Sequence, residues 1–233
     1  MSGEVNGPRE EMCDRLTDFL TVAIPELDLD DATSMQSRQF APEYSQNIYQ
    51  FMLSQEFAIG HYLKDGGQTV LQISEEQRKR MVLLIEDLVH QKNWKLETMF
   101  SAVSIADQYL SSLIPRNEVS PCLVQLGLTC LLLASKLEEP RQPRIDCYIL
   151  YIAKKYDVNL LKRDVLAQEM RILKALDFNI RFTTPLFFLE RFQRIFDLDL
   201  EAEDPAAKHV GTWARKFCRF MLLHSHFLCF RPT

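Results

Sequence analysis

LGLTCLLLASKLEEP, residues 126–140, is the stretch that decides the fold of this chain. Between positions 126 and 134 it is apolar on every side, interrupted only by Gly127 and Thr129. A helix that has no polar face must be surrounded by other helices. The stretch is also shorter than the roughly 20 apolar residues needed to span a bilayer. We therefore expect a buried central helix in a helical protein.

Local signals mark both ends of this helix. Ser120 and Pro121 predict its start, with the serine as N-cap and the proline at the first helical position. Pro140 predicts its end. Gly127 shares one face with two other small residues, so we expect the backbone of a neighbouring helix to approach there. The helix then presents Lys136 at its end, on a rigid base suited to a polar contact.

Apolar residues repeat at helical spacing along most of the chain from Pro42 onward. Ser74 and Gln77 fit a capping box at the start of one of these helices. No convincing alternation of apolar and polar residues predicts a strand, so the expected class is all-α. Around the central helix, the predicted helices are 42–63, 74–91, 96–113, 145–156, 165–178, 186–196 and one near 213–221.

The composition narrows the possible functions of this 233-residue chain. A net charge of -5 argues against nucleic acid as the main partner, because phosphate binding needs clustered Lys and Arg. The six cysteines form no C-x-x-C pair, which indicates reduced thiols in an intracellular protein. We expect it in the nucleus, the cytoplasm or both. The sequence shows no signal peptide and no membrane-spanning stretch. We expect no membrane partner, no metal site and no cofactor.

Catalytic motifs are also missing from the sequence. His224 and His226 are two positions apart, which places them on nearly opposite sides of a helix. Glu138 and Glu139 diverge by about 100 degrees on a helix, so we interpret them as a solvated helix end rather than as paired carboxylates.

Several motifs together resemble the cyclin box. LLLASKLEEP is preceded by AVSIADQYLSS and followed by QEMRILKALDFNIRFTTPLFFLERF, and the resemblance extends from residue 42 to about 230. The front segment, YSQNIYQFM, is similar to that of the mitotic A- and B-type cyclins. The resemblance implies a cyclin fold, in which two five-helix repeats each surround a central helix. It divides the chain into a flexible tail (1–41), a front helix with the first box (42–181) and an incomplete second repeat (182–233).

Cyclins bind and switch on cyclin-dependent protein kinases, so the resemblance implies such a regulatory subunit, which is not itself an enzyme and which controls cell-cycle progression. By resemblance, Lys136 and Glu169 would grip the kinase beside its movable helix. Arg78 and Asp107 would form an internal salt bridge. The expected apolar contacts with the kinase are Leu133, Leu137, Leu173, Phe178, Tyr44 and Ile48.

Each expected contact has a structural alternative. Lys136 fits the negative end of its own helix dipole, and Glu169 fits a solvated position beside an apolar stripe. Leu133 and Leu137 fit plain core positions. An incomplete second repeat would leave apolar side chains such as Trp213 and Phe217 poorly covered.

The sequence departs from the family pattern at two places. Gln125 stands where the family usually has an aliphatic residue, so four of five signature positions match. Substrate-recruiting cyclins also carry Met, Ile, Leu and Trp in a groove that binds Arg-x-Leu peptides. We expect this groove, and with it the recruitment of kinase substrates or inhibitors, to be weakened here, because the matching residues are Gln77, Arg80, Met81 and Leu84.

Two other classes of function stay open at this point. A cyclin-fold interaction module could recruit transcription machinery or DNA instead of a kinase. A helical enzyme is the third possibility. The sequence shows no convergent cluster of titratable residues, and this absence counts against an enzyme.

Overall fold

The structure is a computed structural model that describes residues 42–54, 73–116, 121–141, 144–195 and 205–224. Within these ranges the chain forms helices and no β-strand, which confirms the all-α prediction. The expected tail, residues 1–41, lies outside them. The helices are α1 (Pro42–Ser54), α2 (Glu75–Lys92), α3 (Leu96–Leu113), α4 (Leu123–Glu138), α5 (Ile145–Tyr156), α6 (Lys162–Ala175), α7 (Pro185–Ile195) and α8 (Pro205–Leu222).

Helix α4 lies in the centre of the bundle, packed against α2, α3 and α6. Every residue from 126 to 135 is buried, which confirms the predicted central helix. Five of these ten residues are leucines. Full burial of each leucine side chain stabilises the fold by about 1.5–3 kcal/mol relative to exposure. The apolar run therefore holds three other helices in place around one rod.

The predicted start of α4 is wrong by two residues. The helix begins at Leu123 with Cys122 as its N-cap, and that N-cap has no side-chain hydrogen bond. Pro121 therefore precedes the helix, and Ser120 lies outside the described residues. Proline has no amide hydrogen, so it fits both the first position of a helix and the extended segment that precedes one. The sequence alone therefore did not distinguish these two positions for Pro121. The predicted end is confirmed, because α4 stops at Glu138 with Glu139 as its C-cap.

Gly127 marks the closest approach between α4 and α2. A Cβ added there would lie 3.0 Å from Cγ of Met81 and 3.6 Å from Cγ1 of Ile85. The expectation that a neighbouring backbone fills this space is wrong, because the side chains of α2 occupy it. The glycine thus permits close packing of two helices by admitting large apolar side chains.

A network around Asp87 joins α5 to α2. The Asp87 carboxylate accepts hydrogen bonds from the Tyr151 hydroxyl at 2.8 Å, the Lys155 ammonium at 2.5 Å and the Tyr156 hydroxyl at 3.0 Å. Partial burial by itself would raise the pKa of Asp87, but these donors outweigh it and lower the pKa below its ordinary value of 3.8. The stabilisation that the carboxylate provides is therefore complete above that value and is lost as the pH falls through the lower folded pKa.

Arg78 and Asp107 form the predicted internal salt bridge. Their side chains are 1% and 3% exposed, with Nε to Oδ1 at 3.0 Å and Nη2 to Oδ2 at 2.7 Å. The guanidinium also donates from Nη1 to the backbone oxygen of Leu222 at 2.7 Å. That oxygen lies at the C-terminal end of α8, where a carbonyl lacks a helical partner and the dipole favours a cation. One arginine thus ties α2 to α3 and to α8.

Helix α7 connects the central bundle to α1 and α8. Leu186 of α7 is buried with Phe100 of α3 and Cys218 of α8. Phe188 packs edge to face against Tyr49 of α1, with 6.0 Å between the ring centroids. Two aromatic residues that precede Cys218 on α8 are less covered, since Trp213 is 62% exposed and Phe217 is 59% exposed.

The salt bridge leads to a stability prediction. Asp107→Ala leaves a buried guanidinium without its carboxylate, so the free energy of unfolding should fall by about 3–5 kcal/mol. Urea unfolding followed by circular dichroism measures this change. The matched control is Glu76→Ala, which removes the carboxylate from the exposed Arg80–Glu76 pair and should change the free energy by less than about 1 kcal/mol. Equal effects of the two substitutions would contradict the structural role assigned to Asp107.

Candidate partner-binding site

Lys136 and Glu169 meet at the surface where α4 packs on α6. Lys136 lies in the last turn of α4, and its Nζ donates directly to Oε1 of Glu169. The lysine side chain is 41% exposed and the glutamate side chain is 17% exposed. The two residues expected from the resemblance to act together are thus in contact and open to a partner.

The end of α4 that carries Lys136 is held by the two glutamates that follow it. Oε1 of Glu139 accepts from the backbone N–H of Lys95 at 2.9 Å and from the Thr98 hydroxyl at 2.6 Å. Glu138 accepts from the Ser101 hydroxyl at 3.1 Å. The interpretation of these glutamates as a solvated helix end is therefore wrong.

The contact made by Glu139 also explains how α3 begins. Lys95 is the N-cap of α3 and provides no side-chain cap of its own. The Glu139 carboxylate, at the C-cap of α4, accepts from the backbone N–H of this N-cap residue, and its charge suits the positive end of the helix dipole. The sequence signal was missing because N-cap pairs are sought within about three residues, whereas this one spans 44 positions. The result is a rigid joint directly beside Lys136.

Phe178 lies just after α6 in an unusual backbone conformation. This residue is 64% exposed, and its φ of 60° follows a φ of 49° at Asp177. Two successive side-chain-bearing residues in the left-handed region cost energy, about 1–2 kcal/mol each. The backbone N–H of Phe178 donates to the oxygen of Leu173 at 2.8 Å, which closes the helix end. Strain of this kind tends to occur at functional positions.

The apolar residues expected around the ion pair differ in their exposure. Leu137 and Leu173 are partly buried. Leu133 is only 2% exposed and belongs to the core, so its expected place in an exposed platform is wrong. One turn of helix separates Leu133 from Leu137, and only the later residue extends beyond the packed part of α4.

Two exposed residues of α6 were missed by the sequence reasoning. Leu166 and Met170, three positions before and one after Glu169, are each about half exposed. Val165 and Leu166 are both apolar, but of the two only Val165 is buried. The side chains of adjacent helical residues point about 100 degrees apart around the helix axis. When the buried face of a helix is narrow, neighbouring valine and leucine side chains therefore cannot both be buried.

Helix α1 carries the remaining two expected contacts. Tyr44 and Ile48 are exposed on one face, whereas Tyr49 is buried against α7. The hydroxyl of Thr183 lies 3.4 Å from the backbone oxygen of Met52. Since Thr183 follows Phe178 by five positions, this contact links α1 to the segment that leaves α6.

The four residues at the expected peptide groove divide into two pairs. Met81 and Leu84 are buried in the core. Gln77 is exposed and engaged in the predicted capping box, which the structure confirms. Arg80 is exposed and pairs with Glu76 at 3.3 Å. The surface at the start of α2 is therefore polar, with its apolar members turned inward.

Gln125, which departs from the family signature, makes a contact between α4 and α6. Its Nε2 donates to the backbone oxygen of Asp164 at 2.9 Å. An aliphatic residue could not provide this hydrogen bond. The substitution therefore adds a polar tie at the opposite end of the same helix pair that carries Lys136 and Glu169.

Comparison with known proteins identifies the family. Residues 47–181, more than half of the chain, match the model of the cyclin N-terminal domain. The chain belongs to the cyclin family. The expected cyclin fold and the resemblance to A- and B-type cyclins are thereby confirmed.

Three similar proteins are named as B-type cyclins. A G2/mitotic-specific cyclin-B2 of Bos taurus is 28% identical over 205 residues, which cover 85% of this chain and 47% of the relative. The human G2/mitotic-specific cyclin-B3 is 26% identical over 206 residues, covering 88% and 13%. A putative cyclin-B3-1 of Arabidopsis thaliana is 35% identical over 160 residues, covering 64% and 36%. The chain thus spans less than half the length of these relatives.

The described part of this cyclin contains neither a metal-binding cluster nor a membrane-spanning helix. No group of three or more His, Cys, Asp or Glu side chains there could hold a metal ion. None of the helices described is both long and apolar enough to cross a membrane.

The strained turn yields a prediction for stability. Phe178→Gly should raise the free energy of unfolding by about 1 kcal/mol, because glycine adopts a positive φ without a steric penalty. Phe178→Ala is the matched control, since it removes the same ring and keeps the strain. Thermal melts of both variants give the comparison, and equal melting temperatures would show that the turn carries no strain.

Proposed function

We propose that this chain is the regulatory subunit of a cyclin-dependent protein kinase, which it binds and activates to control cell-cycle progression. The observation that carries the proposal is the Lys136–Glu169 ion pair at the exposed end of a buried helix. The relatives named G2/mitotic-specific cyclins support a role in the cell cycle. We place this action in the nucleus or the cytoplasm.

The ion pair is suited to exchange its internal contact for contacts with a kinase. A partly exposed pair of this kind contributes only about 0–1 kcal/mol to folding, so opening it costs little. Lys136 can then donate to a backbone carbonyl of the kinase, and Glu169 can accept from a backbone N–H. Such charge-assisted hydrogen bonds are strong and directional. The hydrogen bonds of Glu138 and Glu139 hold the end of α4 in place. Lys136 therefore keeps its position while it exchanges Glu169 for the kinase.

Apolar side chains around the pair supply area for the interface. Phe178, Leu166 and Met170 are exposed near or on α6, and Leu137 and Leu173 are partly buried. A large aromatic anchor surrounded by smaller apolar contacts is the usual arrangement of an energetic centre in a protein interface. We propose that Tyr44 and Ile48 of α1 extend this contact to a second part of the kinase.

Activation follows from which kinase conformation the chain binds. Phosphoryl transfer in protein kinases requires a Lys–Glu ion pair whose glutamate is carried by a movable helix. A partner that binds only the active placement of that helix shifts the population toward it. The chain would thus activate the enzyme without contributing a catalytic group of its own.

We also propose the domain division expected from the resemblance. Residues 1–41 precede the fold, residues 42–181 hold the front helix and the first box, and residues 182–233 begin a second repeat. Helices α7 and α8 would be the first elements of that repeat.

The test of kinase binding is a double substitution, Lys136→Ala with Glu169→Ala. Truncating charges that become buried in an interface costs about 2–5 kcal/mol, so affinity for the kinase should fall about 30-fold or more. Co-purification with the tagged full chain, followed by identification of the bound proteins and a titration of kinase activity, measures the effect. The melting temperature should change little, since the pair is partly exposed.

A matched control is available on the neighbouring surface. Lys162 of α6 and Asp146 of α5 form another exposed pair, with 3.1 Å between Nζ and Oδ2. Replacing both with alanine should leave kinase binding unchanged. An equal loss in both double variants, or no loss in either, would overturn the proposal. Recovery of transcription proteins in place of a kinase would favour the interaction-module alternative.

We further propose that Arg-x-Leu peptides bind weakly to the start of α2. The exposed cation of Arg80 would repel the arginine of such a peptide, and Met81 and Leu84 are buried. Arg80→Ile should therefore strengthen peptide binding about tenfold, because juxtaposed like charges cost a few kcal/mol at an interface. Calorimetry with an Arg-x-Leu peptide measures this. Arg80→Gln separates the loss of charge from the gain of an apolar contact, and tight binding by the unmodified chain would refute the proposal.

A further inference from the structure

The surface of α6 continues beyond Glu169 as an exposed apolar strip between two cations. Leu166 and Met170 are 49% and 47% exposed. Arg163 and Lys174 lie on the same side of the helix, because positions 163, 166, 170 and 174 are spaced by three, four and four residues. We call these four residues the α6 face. Glu169 is about 60 degrees from Leu166 and about 100 degrees from Met170 around the helix axis, so the ion pair borders this face.

The charge of α6 is opposite in sign to that of the chain. The helix holds four basic and two acidic residues, a net charge of +2, whereas the whole chain has -5. Lys162 and Arg163 each pair with an aspartate, at 3.1 Å and 3.4 Å. Arg171 and Lys174 are exposed, and neither has an acidic partner among the residues that the structure describes. These two charges are therefore not neutralised within the described fold.

A role in folding accounts for only one of these two cations. Lys174 lies in the last turn of α6, where a positive charge suits the negative end of the helix dipole. Arg171 precedes that turn, and the effect of the dipole falls off beyond it. Since the two residues are three positions apart, their charges also repel each other weakly. A partner explains a second free cation beside an exposed apolar strip better than the stability of the helix does.

We propose that the kinase surface in contact with α6 has an apolar centre bordered by acidic side chains, which Arg171 and Lys174 attract and orient. This inference rests on the proposed function, because it specifies the part of the kinase that lies beside the ion pair. Contact through Leu166 and Met170 would exclude water from the centre of the interface, while the charges at the rim stay solvated. Rim charges act mainly on the rate of association and on the choice of partner.

Other occupants agree less well with the composition of the α6 face. A nucleic acid is bound mainly through its phosphates, so it would leave the two exposed apolar side chains unused, and the net charge of -5 would oppose it. The same net charge opposes an anionic lipid surface. A second copy of the chain would bring two sets of cations together, and like charges across an interface are unfavourable.

The test reverses both charges in the full chain, with Arg171→Glu and Lys174→Glu. Surface plasmon resonance measures the association and dissociation rates with the kinase that co-purifies with the unmodified chain. Steering by charge raises association rates about 10-fold to 1,000-fold, so we expect the association rate constant to fall about tenfold or more at low salt. The difference should disappear at 1 M salt, where the Debye length is about 3 Å. The dissociation rate constant should change less than about threefold, because these charges lie at the rim.

The matched control makes the same change in net charge on other helices, with Lys154→Glu and Lys208→Glu. Both residues are exposed, and Lys154 lies in the last turn of α5, as Lys174 does in α6, so each variant loses one favourable interaction with a helix dipole. The control should associate with the kinase as fast as the unmodified chain. A third variant, Arg171→Gln with Lys174→Gln, removes the charges without reversing them and should give an intermediate rate. Thermal melts show whether each variant is folded.

The other outcomes each overturn the inference. If the test variant binds the kinase as fast as the unmodified chain, the kinase has no acidic surface there, although the proposed function stands. Equal slowing of the control would assign the effect to net charge and not to α6. If the unmodified chain binds no kinase, the proposed function fails and this inference fails with it. Binding of the unmodified chain to a DNA duplex that the test variant loses would assign the two cations to a nucleic acid.

Discussion

Burial of ten consecutive residues in α4 is the constraint on which the rest of the structure depends. A helix that is apolar on all sides must be enclosed, so α2, α3 and α6 have their positions and inner faces determined by it. The same burial makes the ends of the rod rigid. Lys136, the first exposed residue after the buried run, is consequently fixed in space although its own side chain is partly solvated.

Polar contacts between helices add directional constraints to the packing that apolar burial produces. Arg78 joins α2 to Asp107 on α3 and to the last carbonyl of α8, and Glu139 on α4 caps α3. Hydrophobic burial has no direction, whereas these hydrogen bonds have narrow geometry. They therefore determine how the helix ends align, and the candidate site includes the last turn of α4 and the end of α6.

The candidate site combines features that do not favour the stability of the isolated chain. Phe178 is exposed in a left-handed conformation, and the ion pair of Lys136 and Glu169 is partly solvated. Natural sequences violate local rules mainly at functional positions, where the loss is offset elsewhere. The buried α4 offers that compensation here.

Much of this protein could be predicted from local pattern alone. The boundaries of α3 and α5, the capping box of Ser74 and Gln77, and the burial of α4 follow from spacing and side-chain chemistry within a few residues. The pairing of Arg78 with Asp107 came from resemblance to the family, because nothing local relates residues 29 positions apart.

Tertiary packing alone decided the roles of several other residues. Glu138 and Glu139 follow an apolar run and look solvated, yet the N-terminus of α3 lies within hydrogen-bond distance of them. Leu133 and Leu166 are both leucines on apolar stripes, but the first is enclosed and the second faces outward. Periodicity specifies which face of a helix is apolar, and only the arrangement of neighbouring helices determines how much of that face is covered.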